Sequence, residues 1–284
     1  MTTDIALELD LAVTADRAYD ALRSTAQVAR WFASDCDVDV AAGRFAAWGT
    51  ALRGAPARPG TIRLAAVRPG RGIDLDWTLD GVATRVELDV RPEPDGCVVS
   101  VHHTGVPELD EGEAGLDDFW LLALENLRGH LERGAAPLFH DHTHCSGPAR
   151  LRVHVAAPPD AVDRALIEPA ALDRWIATRA TVEARPGGAY DFGWRAGPAG
   201  VVAYEPSRRL RIAWRYRGDT VVTWTLDGDA DGTWLTLAHE GWDEERITAD
   251  HQMGWTMYAA RLRGLVETGA RWRRPRVVAR AAAD

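Results

Sequence analysis

Lysine is absent from this chain of 284 residues, and all 33 basic residues are arginine. That excludes a Schiff-base or lysine-nucleophile mechanism, and also a P-loop, whose lysine reaches the phosphates. Cysteine is scarce. Cys36, Cys97 and Cys145 have no paired spacing, so free thiols are expected rather than a disulfide framework. No apolar run reaches the ~18 residues that a membrane span needs, and Met1-Thr2-Thr3-Asp4 lacks the regions of a signal peptide; the expectation is a cytoplasmic protein with no membrane partner. Serine is sparse (Ser24, Ser34, Ser100, Ser146, Ser207), with no Gly-x-Ser-x-Gly elbow. A dinucleotide fingerprint is missing too, so no cofactor is expected. The net charge of −9 disfavours a nucleic-acid partner. The locally basic Arg271-Trp272-Arg273-Arg274-Pro275-Arg276 reads as part of a solvated tail.

What is present is a duplication. Ala18, Leu22, Arg30-Trp31-Phe32 and Gly43 match Val162, Leu166, Arg174-Trp175-Ile176 and Gly187 at one offset of about 144 residues. At slightly shorter offsets Ile73 to Trp77 answers Leu210 to Trp214, and Asp95-Gly96 with His103-Thr104-Gly105 answers Asp231-Gly232 with His239-Glu240-Gly241. Trp120, Leu127-Arg128-Gly129 and Gly134 answer Trp255, Leu262-Arg263-Gly264 and Gly269. The expected organisation is domain 1 over 1–136, a linker over 137–148, domain 2 over 149–271 and a basic tail over 272–284.

Each repeat opens with an alternating strand (Leu7, Leu9, Leu11; Leu151, Val153, Val155), followed by short helices led by Thr14 or Pro158-Pro159. Asp-Gly signals at Asp80-Gly81, Asp95-Gly96, Asp227-Gly228 and Asp231-Gly232 then punctuate an antiparallel meander. A long helix closes each repeat: Trp120, Leu124, Leu127 and Leu131 recur at helical spacing, as do Trp255, Ala259, Leu262 and Val266. The fold class is therefore α+β. Strand parity turns Ile73, Leu75, Trp77 and Leu79 inward, with Leu210, Ile212, Trp214 and Tyr216 as their equivalents. The same rule turns Val86, Leu88 and Val90 inward with Val222, Trp224 and Leu226, and Val99, Val101 and His103 with Leu235, Leu237 and His239.

The ordered series Arg174-Trp175-Ile176, Arg185-Pro186-Gly187-Gly188-Ala189-Tyr190, Tyr204-Glu205-Pro206, Trp214, Gly232 to Leu237, His239-Glu240-Gly241 and Gly254-Trp255 resembles the AHSA1-type branch of the START-like superfamily. The resemblance covers nearly all of the second repeat. It is weaker in the first, where Arg-Pro-Gly-Gly becomes Ala41-Ala42-Gly43-Arg44 and His-Glu-Gly becomes His103-Thr104-Gly105. It implies two tandem helix-grip domains, each a curved antiparallel sheet around a long C-terminal helix, enclosing a cavity for hydrophobic ligands. Members of the superfamily include activators of the Hsp90 ATPase, actinobacterial polyketide aromatase/cyclases and START-like proteins of enediyne gene clusters.

The candidate ligand-binding residues are Leu75, Trp77, Val86, Leu88, Val101, His103, Trp120 and Leu124 in the first repeat. In the second they are Tyr190, Phe192, Trp194, Ile212, Trp214, Trp224, His239, Trp255 and Tyr258. Eight of the twelve tryptophans lie between Trp175 and Trp272, and Trp224 stands where the first repeat has Leu88. Because a buried indole more often fills a space than lines one, the first cavity is expected to be the roomier. His103 and His239 either contact a ligand or act as acid/base, or else they are tied down near a strand end. The alternate histidines of His140-Asp141-His142-Thr143-His144-Cys145 could offer zinc ligands, but they form one local stretch with no second cluster, so no metal is expected. The expected partner is an elongated or polycyclic hydrophobic small molecule of polyketide type, bound in biosynthesis or self-resistance. An aromatase/cyclase and a chaperone co-regulator are the alternatives.

Overall fold

The alternation of Leu7, Leu9 and Leu11 becomes the buried face of strand β1 (Thr2–Leu11). This is seen in a computed structural model that describes residues 2–53, 60–107, 115–144, 146–216, 218–242 and 247–278. The chain divides into two units, Met1–Thr143 with Pro275–Asp284, and His144–Arg274.

In the first unit Thr14 caps helix α1 (Ala15–Asp20), its hydroxyl accepting from the Arg17 amide, and α2 (Thr25–Val28) follows. A small hairpin of β2 (Asp35–Asp39) and β3 (Arg44–Trp48) precedes the meander β4 (Ile62–Arg68), β5 (Gly72–Leu79), β6 (Val82–Glu93) and β7 (Gly96–Pro107). Helix α3 (Leu116–Arg128) closes the unit, widens to a π turn over Gly129–Arg133, and stops at Gly134, which is left-handed at φ 65°. Sheet order is β4-β5-β6-β7-β1, with one further strand outside β1.

The second unit repeats the plan with β8 (Ala149–Val155), α4 (Pro159–Ile167), α5 (Pro169–Trp175), the short pair β9 (Thr181–Val182) and β10 (Tyr190–Asp191), then β11 (Gly197–Glu205), β12 (Arg209–Arg215), β13 (Asp219–Gly228), β14 (Thr233–Glu240) and α6 (Ile247–Thr268). Its sheet order is β11-β12-β13-β14-β8. The α+β architecture with two tandem helix-grip domains is thus present.

Residues repeated in both copies are framework residues. Trp31 Nε1 donates to the Ala21 carbonyl at 3.0 Å and Trp175 Nε1 to Ala165 at 2.9 Å. Arg30 donates to the Gly134 and Ala135 carbonyls, and Arg174 to Gly269 and Trp272, so each arginine ties down the backbone just past the end of its long helix. Glu132 and Glu267 each accept one backbone amide, from Ala12 and Ala156, both at 2.9 Å. Glycine at the repeated Asp-Gly positions is sterically required: a Cβ on Gly96 would lie 2.0 Å from the Leu11 carbonyl oxygen, and one on Gly232 would lie 2.2 Å from that of Val155.

Four expectations change. Asp227-Gly228 is not a turn but the last paired residues of β13, opposite Trp234 and Thr233; the chain reverses after them, around Asp229–Gly232. Tyr216 is 38% exposed, because β12 ends at Arg215 and parity no longer holds beyond it. The region drawn as a linker is held against the first unit up to the division between Thr143 and His144: Asn126 brackets the backbone of Leu138 through both its amide atoms, and the His142 amide donates to Thr50. The described part of the basic tail is tied down rather than free, although Arg273 and residues 276–278 are exposed. Trp272 is buried, and Arg274 donates to the carbonyls of Asp173, Arg174 and Ala177 within the second unit. Arg276–Val277 then forms β15, which pairs antiparallel with β1 in the first unit, with Arg276 bridging Glu8 and Asp10. Acidic side chains on the outer strand therefore meet the tail's arginine. Cys36 and Cys97 are free and buried, their thiols pushed up to about 11 mainly by desolvation; Cys145 lies outside the described residues.

The corrected end of the inward row predicts a sharp contrast. Ile212→Ala, at a side chain with no exposure, should cost about 2–5 kcal/mol, while Tyr216→Ala, two strand positions on in the alternation, should cost under about 1 kcal/mol. Urea denaturation followed by circular dichroism measures both, and equal losses would restore Tyr216 to the core.

Candidate functional site

The two repeated histidines occupy equivalent settings. β5, β6 and β7 bring Trp77, Thr84 and His103 side by side, since Trp77 pairs with Thr84 and Val86 with His103. From α3, Trp120 Nε1 donates to His103 Nδ1 at 3.0 Å. Indole nitrogen only donates, so Nδ1 is unprotonated and the neutral ring carries its proton on Nε2. Nε2 in turn donates to Thr84 Oγ1 at 2.7 Å, and that hydroxyl donates to the Trp77 carbonyl at 2.7 Å. In the second unit Trp255 Nε1 donates to His239 Nδ1 at 3.0 Å, and Nε2 donates to Thr220 Oγ1 at 2.8 Å, which donates to the Trp214 carbonyl at 3.5 Å.

Each relay sits at zero exposure of the imidazole. Desolvation pushes the His103 pKa down to about 4, with Asp4 opposing and His102 assisting; His239 is pushed to about 2 by desolvation and by His251. A protonated Nδ1 would also face the indole N–H, donor against donor. Both nitrogens of each ring are therefore taken by protein partners and the rings are neutral. As arranged, they hold helix to sheet and leave no lone pair to serve a substrate as base.

The other candidates gather around these relays. Leu75, Val86, Leu88, Val101 and Leu124 are fully or almost fully buried in the first unit with Trp77 and Trp120. Here an exchange of volume decides the packing. Where the second unit has Ile176 and Gly254 the first has Phe32 and Phe119, and Phe32 stands 5.9 Å from Trp77, 5.7 Å from Trp120 and 5.6 Å from Phe119 between ring centres. Where the first unit has Leu88 the second has Trp224, wedged 6.4 Å from Trp175 and 5.6 Å from Trp255. The two phenylalanines thus offset the indole missing at Leu88. Phe32, Phe119 and Thr84 were not singled out from the sequence. Thr84 was legible in principle, because Thr220 stands at the same offset as the histidine pair.

In the second unit Tyr190, Phe192, Ile212, Trp214, Trp224 and Trp255 are buried, while Trp194 and Tyr258 are half-buried. The Tyr190 hydroxyl donates to the Leu166 carbonyl at 2.6 Å, and burial raises its pKa far above the ordinary phenol value. It is a core staple. Trp214 Nε1 is buried without a hydrogen-bond partner.

A cleft of about 440 Å³ lies elsewhere, along the flank of the first unit between α3 and the β7-β1-β15 edge of the sheet. Ile5 and Leu7 of β1, Val106 of β7, and Leu116 and Leu121 of α3 supply its apolar walls, and Val277 and Val278 close the outer side. Asp4 and Asp117 are its charged lining residues. None of the sequence-derived candidates lines it. The one sequence signal was Val277-Val278, an apolar pair inside a basic segment. Among the described residues no group of three or more His, Cys, Asp or Glu could hold a metal; His140 and His142 have rings 4.4 Å apart, and Cys145 lies outside those residues.

The family described as Activator of Hsp90 ATPase homolog 1-like protein matches residues 12–132 and again 156–267. The chain belongs to this AHSA1 family, in two copies. Among solved structures, CalU16 from Micromonospora echinospora is 30% identical over 43% of this chain and 74% of its own, with a TM-score of 0.39. DynU16, from the dynemicin biosynthetic locus, is 18% identical over 94% of this chain and 99% of its own, TM-score 0.37. Protein MLL2253 from Mesorhizobium loti is 21% identical over 43% and 98%, TM-score 0.40. No curated protein matches the chain. The two matched segments of this AHSA1 tandem contain the repeated framework tryptophans Trp31 and Trp175 and both relay histidines. No helix among the described residues is long and apolar enough to cross a membrane.

The relays set a pH dependence. A histidine with a native pKa near 4 and an unfolded pKa near 6.5 leaves the native state proton-free while the unfolded state gains a proton. Stability is therefore full above about pH 6.5 and falls with acidification, by about 1.4 kcal/mol per pH unit for each histidine, down to the native pKa. Urea midpoints of the wild type between pH 7 and 4.5 should follow that slope. Trp120→Phe frees Nδ1 to accept a proton; it should cost about 1–3 kcal/mol at pH 7 and flatten the acid slope. An unchanged slope would mean that the indole does not set the ring's protonation.

Proposed function

We propose that this protein binds an elongated or polycyclic hydrophobic small molecule and acts as a carrier or sequestering protein rather than a catalyst. The observation that carries the reading is the flank cleft of about 440 Å³ with apolar walls, a volume within the range of small-molecule sites. Binding is favoured over turnover because both relay histidines have their nitrogens engaged by protein partners, so an aromatase/cyclase would need another acid/base. Apolar burial would supply affinity, at roughly 25 cal/mol per Å² before ordering costs. The finer reading, polyketide-type chemistry in biosynthesis or self-resistance, rests on the tandem arrangement and on the sequence resemblance.

Mass spectrometry of solvent extracts from the purified protein should reveal a stoichiometric apolar metabolite. Titration with a neutral naphthyl alcohol should show one site, weakened at least tenfold by Val278→Trp, which fills the cleft from its half-exposed wall. Failure of Val278→Trp to alter binding would move the site away from the cleft, and retention of a protein partner with no small molecule would defeat the reading.

A further inference from the structure

Position 261 on α6 answers position 126 on α3, at the offset that also matches Trp255 with Trp120 and Leu262-Arg263-Gly264 with Leu127-Arg128-Gly129. In the first unit Asn126 is neutral, and both its amide atoms are taken by the Leu138 backbone where the chain returns past the helix. In the second unit the same position is Arg261, only 7% exposed. Its Nε is buried without a hydrogen-bond partner, and among the described residues it makes no ion pair. What it meets is a ring, with the Arg261 Cζ 5.6 Å from the centre of Tyr258. A buried charge without a counter-ion is costly, so this one points to a group that the chain does not supply. The returning segment adds charge of the same sign. Burial, together with the charge of Arg261, pushes the pKa of the half-buried Arg274 down, against Tyr258 and Asp173. Arg174 and Arg274 donate to backbone carbonyls, which are neutral and leave both charges standing. The Asp173 carboxylate is on an exposed residue and accepts from the Ala180 amide at 2.6 Å. Tyr258 and Trp194, both half-buried, stand 5.9 Å apart between ring centres and 36° from parallel, so an aromatic surface adjoins the buried cation.

We propose that Arg261 is the anion-binding residue of a second site, built within the second unit, which holds a carboxylate or phosphate ester carried on a flat apolar body. The body lies against Tyr258 and Trp194, and Arg274 adds to the field that attracts the head group. None of these residues lines the flank cleft, so the site stands independently of the binding reading above. A guanidinium suits the task, because its planar fork of N–H donors matches two oxygens of a carboxylate or phosphate. Little water competes at a side chain this buried, and the pairing is stronger there than at an open surface.

The test uses the full-length chain and three probes with one apolar body: 2-naphthoate, 2-naphthyl phosphate and 2-naphthylmethanol, titrated by calorimetry at neutral pH and low salt. At least one anion should bind more tightly than the alcohol, and the tighter of the two identifies the head group. Arg261→Met should weaken that anion by about tenfold or more while leaving the alcohol's affinity unchanged. Without ligand, the urea midpoint of Arg261→Met should be no lower than that of the wild type, because Met keeps the packing against Tyr258 and removes the uncompensated charge. The same anion should raise the wild-type midpoint and leave that of Arg261→Met where it is. Anions that bind no better than the alcohol, an advantage that survives Arg261→Met, or a midpoint lowered by that substitution would each overturn the assignment. The flank cleft is judged separately, by Val278→Trp.

Discussion

The rest of each unit depends on one buried chain of hydrogen bonds, running from the long helix through an imidazole and a threonine hydroxyl to a strand carbonyl. Hydrophobic burial presses helix to sheet without direction. The Trp120–His103–Thr84–Trp77 chain, and its counterpart Trp255–His239–Thr220–Trp214, fix where along the sheet the helix sits. Every donor in the relay has an acceptor, so the polar atoms are buried at little cost, and the indole donor keeps the ring neutral. This explains why histidine ends an inward row of valines and leucines in both copies. The residue that looked most like a reactive group is a joint.

Once the relay and its surrounding rings are in place, the interior leaves different residues to do the same filling. Phe32 and Phe119 do in the first unit what Trp224 does in the second, the phenylalanines packing against Trp120 and Trp77 and Trp224 against Trp255 and Trp175. Close packing demands that volume lost at one position return at another. The exchange of Trp224 for Leu88, which suggested a roomier first cavity, is at these positions compensated by repacking within the first unit's core.

Difference of another kind appears at the sheet edge. β1 gains an extra strand because Glu8 and Asp10 offer charge to Arg276, and because the chain past Arg274 belongs to the first unit. An added strand protects an otherwise exposed edge. It also raises a wall, Val277 and Val278, beside α3, and the space between wall and helix is the cleft. Duplication supplies the scaffold, and the segment that has no counterpart within the repeats completes the candidate site.

The sequence by itself determined the duplicated α+β plan, its antiparallel meanders, long closing helices and inward rows, and the family, because apolar periodicity, Asp-Gly turns and paired tryptophans are local or near-local signals repeated at a constant offset. Thr14 acted where its chemistry said it should. Only the tertiary structure decided what the histidines do, because the role of His103 depends on a threonine nineteen positions before it and an indole seventeen after it. It alone decided that the basic tail is a strand, since pairing of Arg276 with residues over 260 positions away leaves no mark on the tail's own composition. The same holds for the cleft: its walls come from both ends of the chain, one helix and the end of β7, and a concavity between distant segments is a property of how they pack rather than of any one of them.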